Sequence, residues 1–218
     1  EASIASMEML QSSLSDNDDK EAASQVVTAA RSRLNMLDAG VNIIEESLMA
    51  TEAFLKARSG WNAVINADAA IREATALAEE MSKENILSSQ TKGNEALAFL
   101  EEAQQDFSQA EAAYPGLDLA AFEAYVVKRM ESQQAALAAD DAYLSRNKEE
   151  LEAQNSRYNA LEEEAAALAQ ELGEDDPEQI VALRFYKEIE ADQGAYEAER
   201  LKAGNADAFL REYLGTAS

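Results

Sequence analysis

Residues 96–114 read ALAFLEEAQQDFSQAEAAY, and apolar side chains recur in them at helical spacing. The series advances by four, three, four, three and four positions, so all of its members fall on one face of an α-helix. Its members are Ala96, Leu100, Ala103, Phe107, Ala110 and Tyr114. Other faces of the same helix carry Glu101, Glu102, Gln105 and Gln109. The pattern therefore predicts an amphipathic helix that buries one stripe of side chains.

Helical spacing also runs through the rest of the chain, from Leu119 to Leu144 and from Leu151 to Leu172. No stretch alternates apolar and polar positions with β-branched residues, as a strand would. Gly (8) and Pro (2) are scarce, and alanine, leucine and glutamate are good helix formers. We therefore expect an all-α fold without β-sheet. Its antiparallel helical hairpins would stack as a TPR-like repeat or form an elongated helical bundle.

Glycine, proline and capping residues predict where the helices begin and end. The predicted helices span 3–14, 18–38, 41–58, 61–82, 86–114, 118–145, 148–172, 177–203 and 205–214. The predicted breaks are Gly40, Gly60, Gly93, Gly116, Gly173, Gly204 and Gly215, whereas Gly194 lies inside a helical pattern. Three predicted capping boxes pair Asp18 with Glu21, Asn147 with Glu150, and Asp176 with Gln179.

The chain is predicted to form one domain, 1–218, with an internal echo in which 41–82 resembles 130–172. Residues 47–55 read SLMATEAFL and residues 136–144 read ALAADDAYL, with Phe54 and Tyr143 at matching positions. If the echo is a duplication, 47–81 and 136–172 are equivalent hairpins that turn at Gly60 and Asn147.

The composition excludes several classes of function. With 43 acidic and 18 basic residues, the net charge of −25 repels the phosphates of nucleic acids and anionic lipids. The absence of Cys and His removes thiol catalysis, thiolate metal sites and the commonest general base. We therefore expect no enzymatic activity, no cofactor, no bound transition metal and no nucleic-acid partner. Hydrolysis by paired carboxylates is the enzymatic alternative that the sequence leaves.

Part of the chain resembles the tetratricopeptide repeat (TPR) family. The resemblance rests on Gly93-Asn94-Glu95-Ala96-Leu97, Ala103, Ala110 and Tyr114-Pro115, which look like a second repeat helix. A similar residue pattern runs from Asn147-Lys148-Glu149-Glu150 to Asp175-Asp176-Pro177. It covers about two helices, and the Trp-Leu-Gly-Tyr pattern of a first repeat helix is missing. The resemblance implies a TPR-like hairpin in a protein-binding scaffold.

Three polar residues interrupt otherwise apolar stripes, and they are the candidate ligand or polar-core positions: Asp68, Asp141 and Asn155. A buried carboxylate or amide needs a partner, because leaving one unpaired costs about 1–3 kcal/mol. Each is therefore either a polar contact that fixes helix register or part of a ligand site inside the bundle. The cations predicted to neutralise an acid are Arg129 and Lys128. The predicted partners of the Asn155 amide are Asp141 and Gln133.

Aromatic side chains concentrate in the later part of the chain. They include Tyr125, Tyr143, Tyr158, Phe185, Tyr186, Tyr196, Phe209 and Tyr213. Core packing accounts for such residues, and a tyrosine-lined groove would also suit peptide or glycan recognition. Tyr143 and Tyr158 are the two that we add to the candidate ligand-site residues.

Two functional hypotheses follow from these features. The first is a non-enzymatic helical binding or scaffold module for a protein or peptide partner. The alternative is an extracytoplasmic helical-bundle sensor or carrier that holds a small polar ligand between helices. The sequence contains no apolar run of the roughly 20 residues that a transmembrane helix needs. A start at Glu1 and the lack of Cys favour a secreted or lipid-anchored protein, with a cytoplasmic location as the alternative.

Overall fold

The computed structural model describes residues 2–215, of which 90% are helical. Six helices and no strand are present in this range. The helices are α1 (Ala2–Ser13), α2 (Asn17–Glu79), α3 (Lys83–Ala113), α4 (Ala120–Leu144), α5 (Lys148–Leu172) and α6 (Pro177–Tyr213). The all-α prediction is therefore confirmed. No helix of residues 2–215 combines the length and the apolar character that crossing a membrane requires.

Several predicted helix breaks are wrong, because α2 continues for 63 residues through Gly40 and Gly60. Likewise, Gly93 lies within α3 and Gly204 within α6. A glycine inside a helix costs only about 1 kcal/mol, which packing along a long helix readily offsets.

Close packing explains two of these internal glycines. A Cβ atom added at Gly60 would lie 2.8 Å from the Phe107 ring, and one at Gly93 would overlap Gln133 Nε2 and lie 2.8 Å from the Leu137 side chain. At these two positions the glycine lets neighbouring helices approach each other.

Helices do end where glycine adopts a left-handed backbone conformation. Gly116, Gly173 and Gly215 have φ values of 79°, 62° and 66°, which residues with a side chain rarely adopt. The breaks predicted at these three positions are confirmed.

Two of the three predicted N-caps are confirmed. The Asn147 side chain accepts a hydrogen bond from the Glu150 amide at 3.2 Å, and Asp176 accepts one from the Gln179 amide at 2.8 Å. The cap predicted at Asp18 is wrong, because Asp16 Oδ1 accepts from the Asp18 amide and thus caps α2. Asp16 and Asp18 are both suitable capping residues and only one residue separates them. The sequence therefore places the N-cap two positions too late.

Residues 2–215 divide into two compact units, where the sequence predicts one domain. Unit 1 comprises 2–48 and 185–215, and unit 2 comprises 49–184. Helices α2 and α6 each contribute to both units.

Unit 1 contains α1, the first part of α2 and the later part of α6. The α2 and α6 segments are antiparallel, since Arg33 pairs with Asp207 at 2.6 Å and Asn42 donates to Asp192 at 3.3 Å. Apolar side chains between them are buried, among them Val27, Ala29, Ala39, Ile189 and Ala206.

Unit 2 is an antiparallel bundle of the later part of α2 with α3, α4 and α5, and it also includes residues 177–184 at the start of α6. Its core contains the stripe of residues 96–114 that the sequence predicts, all of it at most 2% exposed. Trp61 packs edge-on against Phe122 with ring centroids 5.6 Å apart. Alanines fill much of the remaining interface, which keeps the helices close.

The predicted equivalence of 47–81 and 136–172 as two hairpins is wrong. Residues 136–172 do form a hairpin of α4 and α5 around Asn147, but 47–79 is a continuous stretch of α2. The similarity of 41–82 to 130–172 therefore does not extend to how the helices are connected. The matching residues are accounted for by the similar amino-acid composition of the two segments.

Candidate functional site

All five candidate residues lie in unit 2, but on three helices and in different surroundings. Asp68 belongs to α2, Asp141 and Tyr143 to α4, and Asn155 and Tyr158 to α5. They do not form one site. Only Asn155 and Tyr158 line the same cavity.

Asp68 belongs to an ion-pair cluster centred on Arg129. Arg129 Nη2 lies 2.7 Å from Asp68 Oδ1, and Nη1 lies 2.6 Å from Glu162 Oε1. Ser132 donates a further hydrogen bond to Glu162. Burial opposes the charged form of Arg129, yet the nearby charges of Asp68 and Glu162 outweigh it and raise the pKa of the guanidinium. The prediction that Arg129 neutralises an acid is thus confirmed.

This cluster links α2, α4 and α5 across the bundle. Lys128, the second predicted cation, instead bridges Glu131 and Glu164 at 2.7 and 2.9 Å on a more exposed side of α4. Because both carboxylates of the Arg129 cluster are already paired, the cluster acts as a polar contact between helices rather than as a vacant binding site.

Asp141 and Tyr143 make contacts near the end of α4. Asp141 is exposed and accepts a hydrogen bond from Gln90 Nε2 at 2.6 Å. The Tyr143 hydroxyl donates to the main-chain carbonyl of Met81, in the turn before α3. The expectation that Asp141 lies on a buried stripe is wrong, because its neighbour Asp140 occupies the inward face.

Asn155 is exposed, which corrects the expectation of a core amide. No hydrogen bond joins it to Asp141 or Gln133 within residues 2–215. The physical reason lies in α5, whose only buried residues are Leu161 and Ala165, both in its second half. The stripe that carries Asn155 therefore opens to solvent before it reaches the core.

The cavity beside Asn155 has a volume of about 240 Å³ and lies among α2, α3, α4 and α5. We call it the Asp140 cavity. Its walls are formed by Ala74, Thr75, Ala78, Glu79, Ser89, Gln133, Ala136, Ala139, Asp140, Asn155 and Tyr158. Four of these residues are alanines, so small side chains leave the space that larger ones would fill.

Asp140 is the buried acid of this cavity, with 8% of its surface exposed. Ser89 Oγ donates to Asp140 Oδ2 at 2.9 Å. Burial raises the pKa of the Asp140 carboxyl, the Ser89 hydrogen bond lowers it, and the Asp141 charge raises it further; the net pKa is raised. The sequence analysis did not select Asp140. The available signal was its spacing, because Gln133, Ala136 and Asp140 follow one another by three and four positions and so share one helix face.

Tyr158, on α5, also lines the Asp140 cavity. Burial raises the pKa of its hydroxyl, the charge of Glu162 adds to this, and a hydrogen bond with Thr75 lowers it. Tyr143 lines a different cavity of about 480 Å³ with exposed Lys83, Arg146 and Lys148. The two tyrosines therefore do not share a groove of the kind that the sequence suggested.

A second candidate surface lies on α2 in unit 1. Four large apolar residues there are between 51% and 66% exposed: Leu37, Val41, Ile44 and Leu48. We call these four the α2 stripe. Ala39, which is buried in unit 1, precedes Val41 by two residues, or about 200° of helical rotation. The α2 stripe therefore lies on the side of α2 away from the face that packs inside unit 1.

No group of three or more acidic side chains is arranged to hold a metal ion within residues 2–215. Neither a family model, nor a curated protein, nor a solved structure matches this chain. The resemblance to TPR proteins and the extracytoplasmic location therefore remain predictions.

Proposed function

We propose that this chain is a non-enzymatic binding module in which the α2 stripe docks an amphipathic helix of a partner protein. The α2 stripe itself is the observation that carries the proposal. Single exposed leucines are common on protein surfaces, but an ordered row of four on one helix face is typical of an interaction surface.

The spacing of the α2 stripe specifies the shape of the partner. Its members advance by four, three and four positions, which is the spacing of alternating core positions in a coiled coil. A second helix that lies along this face would insert its own apolar side chains between them. A helix with the same seven-residue period is therefore the complementary partner.

Charge specifies the chemistry of the partner. Asp38 and Glu45 flank the α2 stripe and are both exposed. No lysine or arginine occurs between Arg33 and Lys56, and Arg33 is already paired with Asp207. A second copy of this chain would bring further negative charge to the same face. A basic helix would bring complementary charge, so we assign a basic amphipathic helix as the occupant.

A designed peptide tests this assignment. The probe is a fluorescent peptide of about three heptads with leucine at the core positions and lysine at the flanking positions. Its control has glutamate in place of each lysine. Fluorescence anisotropy should show saturable binding of the lysine peptide and little binding of the glutamate peptide.

Two protein variants locate the binding surface. Ile44→Ser removes a side chain of the α2 stripe, and Leu201→Ser removes an equally exposed leucine of α6. Losing one buried aliphatic contact costs about 1.5–3 kcal/mol, so Ile44→Ser should weaken binding at least about tenfold. Leu201→Ser should leave binding unchanged. Equal effects of the two substitutions, or no binding by the wild type, would contradict the proposal.

Self-association is the competing outcome. Sedimentation equilibrium of the wild-type chain should show a monomer across the concentration range used for the peptide. A dimer that Ile44→Ser abolishes would mean that a second copy occupies the α2 stripe, and would overturn the assignment of a basic partner.

The alternative function, a carrier for a small polar ligand, is supported by a different observation in unit 2. The Asp140 cavity combines a buried acid with walls that include four alanines.

A further inference from the structure

Asp106 and Asp140 are the two buried acids among residues 2–215, and of these two only Asp106 has a cation beside it. Asp106, which is as buried as Asp140, pairs with Lys56 at 3.2 Å, and the less buried Asp68 and Glu162 share Arg129. No ion pair joins Asp140 to a lysine or arginine of residues 2–215, and its hydrogen-bond donor there is the neutral Ser89 hydroxyl. A buried carboxylate normally has a charge partner or coordinates a cation.

The second oxygen of this carboxylate is available to the cavity. Ser89 occupies Asp140 Oδ2, whereas Oδ1 is neither hydrogen-bonded nor sealed from solvent. Because Asp140 lines the cavity wall, a ligand that enters can contact this oxygen directly. Gln133, only 3% exposed, lies one heptad earlier on α4 and adds a second polar group to the same wall.

Beside the polar lining residues Thr75, Glu79, Asn155 and Tyr158, the cavity has an apolar part that suits a short hydrocarbon chain. Ala74 and Ala78 of α2 face the cavity, as do Ala136 and Ala139 of α4. A volume of about 240 Å³ accommodates on the order of eight heavy atoms, if each occupies the roughly 30 Å³ of a liquid water molecule. The cavity thus offers one buried negative charge beside a small apolar space.

We propose that the Asp140 cavity binds a small aliphatic primary amine, whose ammonium group pairs with the Asp140 carboxylate and whose carbon chain lies against the alanines. The ammonium group supplies the positive charge that the protein does not place beside Asp140. The net charge of −25 raises the concentration of such cations near the surface. This inference concerns unit 2 and is independent of the α2 stripe.

Two adjacent acids provide a matched test. Asp140→Asn and Asp141→Asn change the net charge equally, but only Asp140 lines the cavity. The probe is n-butylamine, with 1-butanol as its uncharged counterpart, and binding is followed by protein NMR chemical shifts at pH 7. Wild type and Asp141→Asn should show saturable shifts with butylamine. Asp140→Asn should weaken binding at least tenfold, and 1-butanol should cause no saturable shift in any of the three.

A second variant separates loss of the charge from loss of the fold. Ala136→Leu leaves Asp140 in place and fills the half-buried wall of the cavity. It should block butylamine binding while the far-UV circular dichroism spectrum stays helical.

Three results would overturn the proposal. They are absence of saturable binding by the wild type, equal losses in Asp140→Asn and Asp141→Asn, and unchanged binding in a folded Ala136→Leu variant. Equal losses in the two asparagine variants would show that amines respond only to the general negative charge of the surface.

Discussion

Asp140 is an acid inside unit 2 with a single hydrogen-bond donor, Ser89, and with Asp141, Glu79 and Tyr158 as the titratable groups around it. Burial raises its pKa above the ordinary value of 3.8. A carboxyl whose pKa is higher in the folded chain than in the unfolded chain stabilises the fold when it is protonated. This stabilisation is complete below the pKa of the unfolded chain and is lost as the pH rises through the pKa of the folded chain. The charged form of Asp140 therefore opposes folding at neutral pH.

We expect Asp140→Asn to raise the free energy of unfolding at pH 7. The difference from the wild type should shrink as the pH falls towards 3, because the wild-type carboxyl then becomes neutral. Urea unfolding at both pH values, followed by circular dichroism, measures this. Asp141→Asn is the control and should show a smaller trend, because it leaves the buried carboxyl in place and removes only the weakest of the causes that act on the pKa of Asp140. An Asp140→Asn variant that is less stable at pH 7 would show instead that the carboxylate makes a net favourable contact.

Arg129 and Lys128 are neighbouring cations that differ in burial. The Arg129 side chain is 10% exposed and that of Lys128 is 23% exposed, with Glu164 of its pair 58% exposed. We expect Arg129→Met to cost about 2–3 kcal/mol, somewhat less than a fully buried pair, because it leaves Asp68 and Glu162 unneutralised. Lys128→Met should cost less than about 1 kcal/mol. If urea unfolding showed similarly small losses in the free energy of unfolding for both variants, a structural role for the Arg129 cluster would be contradicted.

The sequence predicted that an acid pairs with Arg129, but it did not predict which acids face inward. Asp140 and Asp141 differ by about 100° of helical rotation, and both border the same apolar stripe. Which one is buried depends on how α3 packs against α4, as the hydrogen bonds from Ser89 and Gln90 show. Apolar periodicity along one helix cannot carry that information.

The longest helix, α2, contains two glycines, Gly40 and Gly60, whose surroundings differ. A Cβ added at Gly40 meets no atom within 4 Å, whereas one at Gly60 meets Phe107 at 2.8 Å and the Ala103 carbonyl at 3.1 Å. Gly40→Ala should therefore stabilise the protein by about 0.5–1 kcal/mol, because alanine is the better helix former. Gly60→Ala should destabilise it by about 1–3 kcal/mol through overpacking.

Thermal unfolding of the two variants measures this contrast. If Gly40→Ala also destabilised the protein, the helix would be interrupted at Gly40, as the sequence suggests; if both variants were stabilised, the Phe107 ring would have to move away from the added methyl group. The ambiguity has a physical origin, because glycine both ends helices and permits close helix packing. The glycines that do end helices are recognised by their positive φ, which the sequence does not show directly.

At the scale of the whole molecule, composition was a sufficient guide to the all-α class. Ala, Leu and Glu dominate, and periodic apolar stripes run through nearly every segment. The division into two units was not predictable, because α2 and α6 continue through both of them without a composition change or a breaker at the boundary. For the same reason the sequence does not show that 47–79 is one continuous helix, whereas 136–172 is a hairpin of two helices.

The α2 stripe also escaped prediction, since an apolar stripe on a helix normally indicates a buried face. Leu37 and Ile44 follow the same spacing as core residues, and only the structure shows them exposed. This exposure underlies the central proposal, that the chain binds a basic amphipathic helix. The absence of cysteine allows a single reporter to be placed on the surface without competing thiols.

The most direct measurement uses Ile44→Cys labelled with an environment-sensitive dye, and Leu201→Cys labelled in the same way. The account predicts that the lysine-flanked peptide shifts the emission of the Ile44 label to shorter wavelengths, because the docked helix excludes water from it. The Leu201 label should not respond. An unchanged emission at residue 44 under conditions where the peptide binds, or an equal shift at both positions, would contradict docking on the α2 stripe.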